Sequence, residues 1–234
     1  MISNKKNGER TSICSPETMV AAIREAGIIP FFENAIDGYS IEEKTVPDFW
    51  FTAEGELGPW DWKIDAVREG DIAYGKFLLG KSAFATATLF RDLMNWRRSQ
   101  KKYQPEGLQA DVLKAIRENG SLTSAEVRRM AGLKKSASDA LLTRLQMGTW
   151  IVIGDFERKF RGPNLEYSGW QLASWCPPED LFETGTRPGF PFPFADEDAP
   201  QWNPCPPEES RDRLLAHLKE VTGAPEALLM KYIG

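Results

Sequence analysis

The sequence has few of the side chains that polar catalysis and metal binding use most often. In 234 residues it contains one histidine, His217, and three widely separated cysteines, Cys14, Cys176 and Cys205. A histidine-based triad, or a zinc site with several histidine ligands, needs partners that this chain lacks. Because the cysteine number is odd and no CxxC pair occurs, the sequence suggests neither a zinc site nor a disulfide framework, and it predicts a reducing, cytoplasmic compartment. We expect no metal and no cofactor.

Two further absences limit the class of protein. The Gly75-Lys76 and Gly80-Lys81 pairs lack the spacing and the following Ser or Thr of a phosphate-binding loop. No run approaches the ~18 apolar residues that a membrane span needs, so we expect no membrane association. The first residues are polar with no apolar centre, which predicts a disordered leader over 1–15 and no signal peptide.

The charge is distributed unevenly along the chain. The formal net charge is −5, which predicts no global attraction to nucleic acid. Residues 91–170, however, carry 15 Lys and Arg against 9 Asp and Glu, a net of +6 that leaves −11 for the flanks. A basic middle segment is compatible with DNA binding of modest salt sensitivity. The alternative is a solvated helical surface that is merely rich in Lys and Arg.

Residues 108–175 show the clearest pattern of secondary structure. Apolar spacing and a capping box at Thr123 and Glu126 predict three helices, at 108–119, between Ser124 and Gly132, and at 136–147. Two β-rich segments follow, at 150–153 and 167–175, with a basic, turn-forming segment between them. This order is typical of a winged helix-turn-helix, which places its third helix in a DNA major groove and its hairpin on the backbone or minor groove.

That interpretation assigns the candidate DNA-binding residues. Base reading would come from the third helix, and phosphate contacts would position it. The third helix and the residues before it supply Lys134, Lys135, Ser136, Ser138 and Arg144, and the hairpin supplies Arg158, Lys159 and Arg161.

The whole chain is predicted to be α+β and mostly helical. Residues 16–100 form an N-terminal helical and aromatic region, with helices from Pro16, at 59–68 and at 82–96 and a strand at 72–78. Residues 101–176 form the winged-helix domain. Residues 177–234 begin as an extended, Pro-rich strap and end in two helices, from Pro207 and after Ala224.

Carboxylates are the only credible catalytic groups. Asp61 and Asp65 are four residues apart, so on a helix they share a face. Paired acids beside Trp60 and Trp62 could act on a flipped nucleotide, with the rings stacking on the base and one carboxylate positioning water. The alternative is that Asp61 interacts with the helix dipole, that Asp65 is solvated, and that the tryptophans belong to the core.

Several motifs resemble a known family. They are Leu57-Gly58-Pro59-Trp60-Asp61-Trp62-Lys63, Ala73-Tyr74-Gly75-Lys76-Phe77, Asn95-Trp96-Arg97-Arg98 and the segment 145–153. Over roughly residues 17–180 the chain is similar to a bacterial family of uncharacterised proteins described as related to the AlkZ/YcaQ DNA glycosylases. Those glycosylases unhook alkylated and cross-linked bases with winged-helix modules and carry a Gln-x-Gln or Gln-x-Asp catalytic motif.

The resemblance implies a site in this chain. The segment nearest to the glycosylase motif is Lys63-Ile64-Asp65, in which Lys63 stands where the first Gln would be. By that resemblance Asp65 keeps the acidic role, and the water-orienting Gln is missing.

Three hypotheses for function follow. The first is a non-catalytic winged-helix protein that binds duplex DNA. The second is a DNA glycosylase acting on alkylated bases, with Asp65 as its catalytic carboxylate. The third is a protein-interaction module in which the Phe-Pro segment at 188–194 and the acidic flanks contact a protein partner.

Overall fold

A computed structural model describes residues 12–51, 57–164, 166–182 and 205–234. Within these ranges the helices are α1 (Pro16–Ala26), α2 (Ile41–Lys44), α3 (Pro59–Arg68), α4 (Ala87–Arg98), α5 (Leu108–Asn119), α6 (Ser124–Met130), α7 (Lys135–Met147), α8 (Pro178–Phe182), α9 (Pro207–Thr222) and α10 (Glu226–Ile233). The strands are β1 (Ile28–Pro30), β2 (Ile72–Leu78), β3 (Lys81–Thr86), β4 (Leu122–Thr123), β5 (Val152–Arg161) and β6 (Glu166–Cys176). The predicted α+β class with mostly helical content is confirmed. In the same ranges, no helix combines the length and apolar content needed to cross a membrane.

The first sheet has the strand order β1-β3-β2 and is antiparallel throughout. Its central strand corrects one prediction, because the segment 82–86 is extended and the helix predicted for 82–96 begins only at Ala87. Phe84 lies opposite Ile29 on one side and Tyr74 on the other. The apolar spacing of this segment suits a helix locally, but pairing along both edges satisfies its backbone in the extended form.

The second sheet has the strand order β4-β6-β5, and it closes the hairpin expected after the third helix. Ile153 lies opposite Trp175, and Val152 lies opposite Cys176. The first strand of the hairpin is longer than the predicted segment 150–153, because β5 continues to Arg161. Basic residues there take part in strand pairing and do not belong to a loop.

The capping box of α6 is confirmed. The Thr123 hydroxyl accepts from the Glu126 N–H at 3.3 Å, and the Glu126 carboxylate accepts from the Thr123 N–H at 2.8 Å. These reciprocal bonds satisfy two of the helix's otherwise unpaired donors. Val127 on this helix is buried, whereas Met130 at its end is 48 % exposed.

The ends of the chain depart from two predictions. Ile13 is fully buried and its N–H donates to Lys44 O at 2.9 Å, so the expected disordered leader cannot extend to residue 15. Residues 1–11 lie outside the described residues. The strap expected from residue 177 is also wrong at its start, where α8 forms. Its remainder, 183–204, lies outside the described ranges.

The single histidine has a structural contact. His217 on α9 donates from Nε2 to Ala26 O at 2.9 Å, at the end of α1. Gly27, which follows Ala26, has φ +69°, and a Cβ there would lie 2.4 Å from Leu89 and 2.5 Å from His217. Glycine therefore allows α1, α4 and α9 to meet at this point.

Arg97 on α4 is fully buried and connects four elements. Its Nη1 donates to Phe77 O at 2.6 Å and to Met147 O at 2.9 Å. Its Nη2 donates to Tyr232 O at 2.7 Å, and its Nε donates to Ile233 O at 2.9 Å. Burial lowers the pKa of Arg97 to about 10, so the group is still charged at neutral pH. Several of the acceptors lie at helix C-termini, where the helix dipole favours a cation.

We predict that Arg97→Met lowers the free energy of unfolding by about 3–5 kcal/mol, because it leaves buried carbonyls without donors. Urea denaturation followed by circular dichroism measures the change. Arg129→Met, at an exposed arginine on α6, is the control and should stay within about 0.5 kcal/mol of wild type. Equal midpoints for the two variants would show that the Arg97 contacts contribute little.

Candidate nucleic-acid interface and carboxylate cluster

The first turn of α7 and the residue before it carry most of the predicted third-helix contacts, and they face solvent. Lys134, Lys135, Ser136 and Arg144 are all exposed. In the part of the chain that the structure describes, no side-chain hydrogen bond caps the N-terminus of α7 at Lys134. The positive end of the helix dipole lies at the same place as the two lysines, and both favour an anion.

Ser138 does not belong to this surface. It is 1 % exposed, and its buried Oγ has no hydrogen-bond partner among the described residues. The prediction that Ser138 contacts DNA is therefore corrected. It lies three residues before the buried Leu141, on the side of α7 that packs inward.

Two arginines that the sequence interpretation did not assign extend the exposed face. Arg128 and Arg129 lie exposed at the end of α6. We call Arg128, Arg129, Lys134, Lys135 and Arg144 the α6–α7 basic surface. Residues 121–147 hold only two acids, Glu126 and Asp139, against these five cations. Within the described ranges, none of the five lies within 4.0 Å of a carboxylate oxygen, so their charge is not neutralised by ion pairs there.

The hairpin cations are differently placed. Arg158 is half-buried, and its Nε lies 3.4 Å from Asp61 Oδ1. The Nζ of Lys159 lies 2.7 Å from Glu157. Arg161 ends β5, but its side chain lies outside the described part of the chain. Part of the positive charge of the hairpin is therefore paired with carboxylates of the protein itself.

The predicted carboxylate Asp61 anchors the hairpin to α3. It is 8 % exposed, and its Oδ1 accepts from the Tyr167 hydroxyl at 2.9 Å and from Gln171 Nε2 at 3.1 Å. With the nearby Arg158 these residues form what we call the Asp61 cluster. Because its Oδ1 is already occupied by two protein donors and lies beside a guanidinium, Asp61 suits a structural anchor better than a base.

Asp65, one turn further along α3, has a different environment. It is half-buried, and burial raises the pKa of its carboxyl above the usual range, although Arg158 and Arg68 oppose this shift. A raised pKa brings a carboxyl closer to the range in which it exchanges protons near neutral pH. Burial thus favours the neutral form of Asp65.

Lys63, which lies between Asp61 and Asp65 in the sequence, is buried. It is 7 % exposed, and its Nζ donates to Trp60 O at 2.8 Å. The same nitrogen lies 5.1 Å from the ring centroids of Trp60 and Phe156. Burial lowers the pKa of Lys63 to about 8, and Asp61 only partly compensates.

The tryptophans near this site are not equivalent. Trp62 is 4 % exposed and belongs to the core, which agrees with the alternative that the tryptophans are core residues. Trp60 is 48 % exposed, and its backbone oxygen accepts from both Lys63 and Gln171. Trp60 therefore offers a ring to solvent at the edge of the Asp61 cluster. Among the described residues, no group of three or more His, Cys, Asp or Glu is arranged to hold a metal ion.

Tyr167 and Gln171 were missed by the sequence interpretation. They lie four residues apart on β6, so they point to the same face of the sheet. The four-residue spacing is the one sequence signal that could have grouped Tyr167 with Gln171. It does not reveal that both side chains contact α3. The Oε1 of Gln171 is buried without a hydrogen-bond partner among the described residues.

The family resemblance is confirmed by comparison with protein families. The model described as AlkZ related matches residues 13–234, which is nearly the whole chain. This chain belongs to the AlkZ-related family. No curated protein and no solved structure matches it. Within this AlkZ-related protein, the α6–α7 basic surface and the Asp61 cluster are the two candidate sites.

We predict that Lys63 makes the stability of this protein depend on pH above neutrality. Its pKa is about 8 when folded and near 10.5 when unfolded, so the unfolded chain binds more protons between these values. The free energy of unfolding therefore rises with pH across that window, by about 1 kcal/mol per pH unit from this group.

Lys63→Met removes the buried charge and is the matched comparison. It should be more stable than wild type at pH 7, and the gap should close between pH 8 and pH 10. Urea midpoints at each pH measure it. Parallel pH profiles for the two proteins would show that Lys63 titrates normally.

Proposed function

We propose that this AlkZ-related protein binds duplex DNA through a winged helix formed by α5, α6, α7 and the β4-β6-β5 sheet. Support comes from the element order, from the short α6 before α7, and from the antiparallel hairpin directly after α7. In this proposal α7 enters the major groove, while the β5–β6 hairpin contacts the backbone or minor groove.

The observation that carries the proposal is the α6–α7 basic surface. Its five cations are exposed and are free of ion pairs in the described ranges, while the hairpin residue Arg158 is engaged with Asp61. Contacts between phosphates and Arg or Lys supply most sequence-independent affinity for DNA. The acidic flanks are repelled by the same phosphates, which orients the duplex toward this face.

The contact between α7 and β2 supports a fixed orientation for this surface. Gln146 on α7 accepts at Oε1 from the Lys76 N–H at 2.7 Å. We propose residues 101–176 as the DNA-binding unit, with 16–100 as the support for the buried face of α7.

Reversing two charges of this surface tests the proposal. We expect the double variant Lys135→Glu and Arg144→Glu to weaken binding to a duplex by about 2 kcal/mol or more. It should also lower the slope of log affinity against log salt by about 2, since two phosphate contacts are lost. Fluorescence anisotropy over a salt series measures both quantities.

The control carries the same change in charge at a distance. Lys219→Glu on α9 with Lys231→Glu on α10 changes two exposed lysines outside the proposed unit. It should bind with nearly wild-type affinity. Equal weakening by both double variants would mean that net charge, and not the α6–α7 basic surface, governs binding.

Asp65 favours a second candidate function, base excision from alkylated DNA. The family relationship supports this, and so does a half-buried carboxyl whose pKa is raised. We expect Asp65→Asn to abolish release of alkylated bases from duplex DNA while leaving DNA binding intact. Chromatography of the released bases measures it. Absence of wild-type activity on every lesion tried would remove this function but not DNA binding.

A further inference from the structure

The turn that joins β2 to β3 lies against the last turns of α7. The Lys76 N–H donates to Gln146 Oε1 at 2.7 Å. The Gly80 N–H donates to Met147 Sδ at 3.0 Å. Glycine at position 75 permits the close approach, because a Cβ on Gly75 would lie 3.1 Å from Gln146 Oε1. The β2–β3 turn is therefore held in a fixed position beside the helix proposed to enter the major groove.

The two segments that meet at this turn contain cations and no acids. Residues 72–91 hold three Lys or Arg, residues 140–154 hold one, Arg144, and neither segment contains Asp or Glu, although the whole chain has a net charge of −5. Lys76, Lys81 and Arg144 are exposed, and no carboxylate among the described residues is paired with them. Their charge is thus available to an anionic partner.

The tip of the turn has a backbone conformation that disfavours its residue. Leu79 has φ +50°, and Gly80 after it has φ +70°. A two-residue hairpin turn with two positive φ angles favours Asn, Asp or Gly at its first position. Leu79 is also 49 % exposed, so burial alone does not account for a leucine here. An exposed apolar side chain in a strained turn points to a contact outside the chain.

The β2–β3 turn continues the α6–α7 basic surface. A Cβ on Gly80 would lie 3.8 Å from Thr143 Cγ2, and Thr143 immediately precedes Arg144 on α7. In chain order the turn presents a cation, an apolar tip and a second cation. The backbone of DNA alternates phosphate with deoxyribose, so both its charged and its less polar parts have a counterpart here.

We propose that the β2–β3 turn is a second DNA-binding element. Lys76 and Lys81 bind phosphates of a duplex, and Leu79 contacts a deoxyribose between them. This inference rests on the proposed DNA binding, because α7 must bring the duplex to the turn. It extends the proposed DNA-binding unit, residues 101–176, into the N-terminal region.

Removing the two lysines tests the phosphate contacts. In the full chain we expect Lys76→Ala with Lys81→Ala to weaken binding to a labelled duplex by about tenfold at low salt. The slope of log affinity against log salt should fall in magnitude by about 2, since two phosphate contacts are lost. Fluorescence anisotropy over a salt series measures both quantities. Lys219→Ala with Lys231→Ala removes the same charge from exposed positions on α9 and α10 and should behave as wild type.

Leu79→Asn separates the contact at the tip from the stability of the fold. Asn adopts a positive φ more readily than Leu, so the melting temperature of this variant should equal or exceed that of wild type. Its affinity for the duplex should nevertheless fall several-fold, with an unchanged salt slope because no charge is removed. Wild-type affinity in this variant would refute the contact assigned to Leu79.

The remaining outcomes separate this inference from the proposed function. If wild type binds the duplex and the Lys76 and Lys81 double variant matches its affinity and salt slope, the inference is refuted and DNA binding stands. Equal weakening by the Lys219 and Lys231 control assigns the effect to net charge and also refutes the inference. A wild-type protein that does not bind the duplex refutes both proposals.

Discussion

The arrangement of this fold depends on the buried guanidinium of Arg97. From α4 it donates to backbone oxygens of β2, of α7 and of α10, elements that are far apart in sequence. A buried cation without these acceptors would cost several kcal/mol, so the four elements are stable only when they meet around it. Since one acceptor is the last residue of α7, Arg97 also fixes the helix that carries Lys135 and Arg144 of the α6–α7 basic surface.

The hairpin is held from the opposite side, by α3. Asp61 accepts from Tyr167 and Gln171 and lies beside Arg158, so the strand that would contact DNA is joined to the helix that carries Lys63 and Asp65. This contact holds α3 against the hairpin. It also explains why Asp61 serves as an anchor, since its Oδ1 already accepts from two protein donors.

Much of the local structure could be predicted because local rules decide it. The cap at Thr123, the proline at the start of α3 and the β-rich segments of the hairpin specify their elements locally. Partners distant in sequence could not be predicted. The segment at Phe84 has helical spacing but is extended between β1 and β2, and Ser138 is polar but buried. The pairing of Asp61 with β6 spans more than 100 residues and has no local signal.

The central claim is that α7 and the hairpin beside it form the surface that receives DNA. Hydrogen–deuterium exchange of the full chain, with and without a duplex, tests it most directly. The account predicts slower exchange in the first turns of α7, from Lys135, and in the β5–β6 hairpin, with no change in α9 and α10. Protection confined to α9 and α10, or exchange unchanged by saturating duplex, would contradict it.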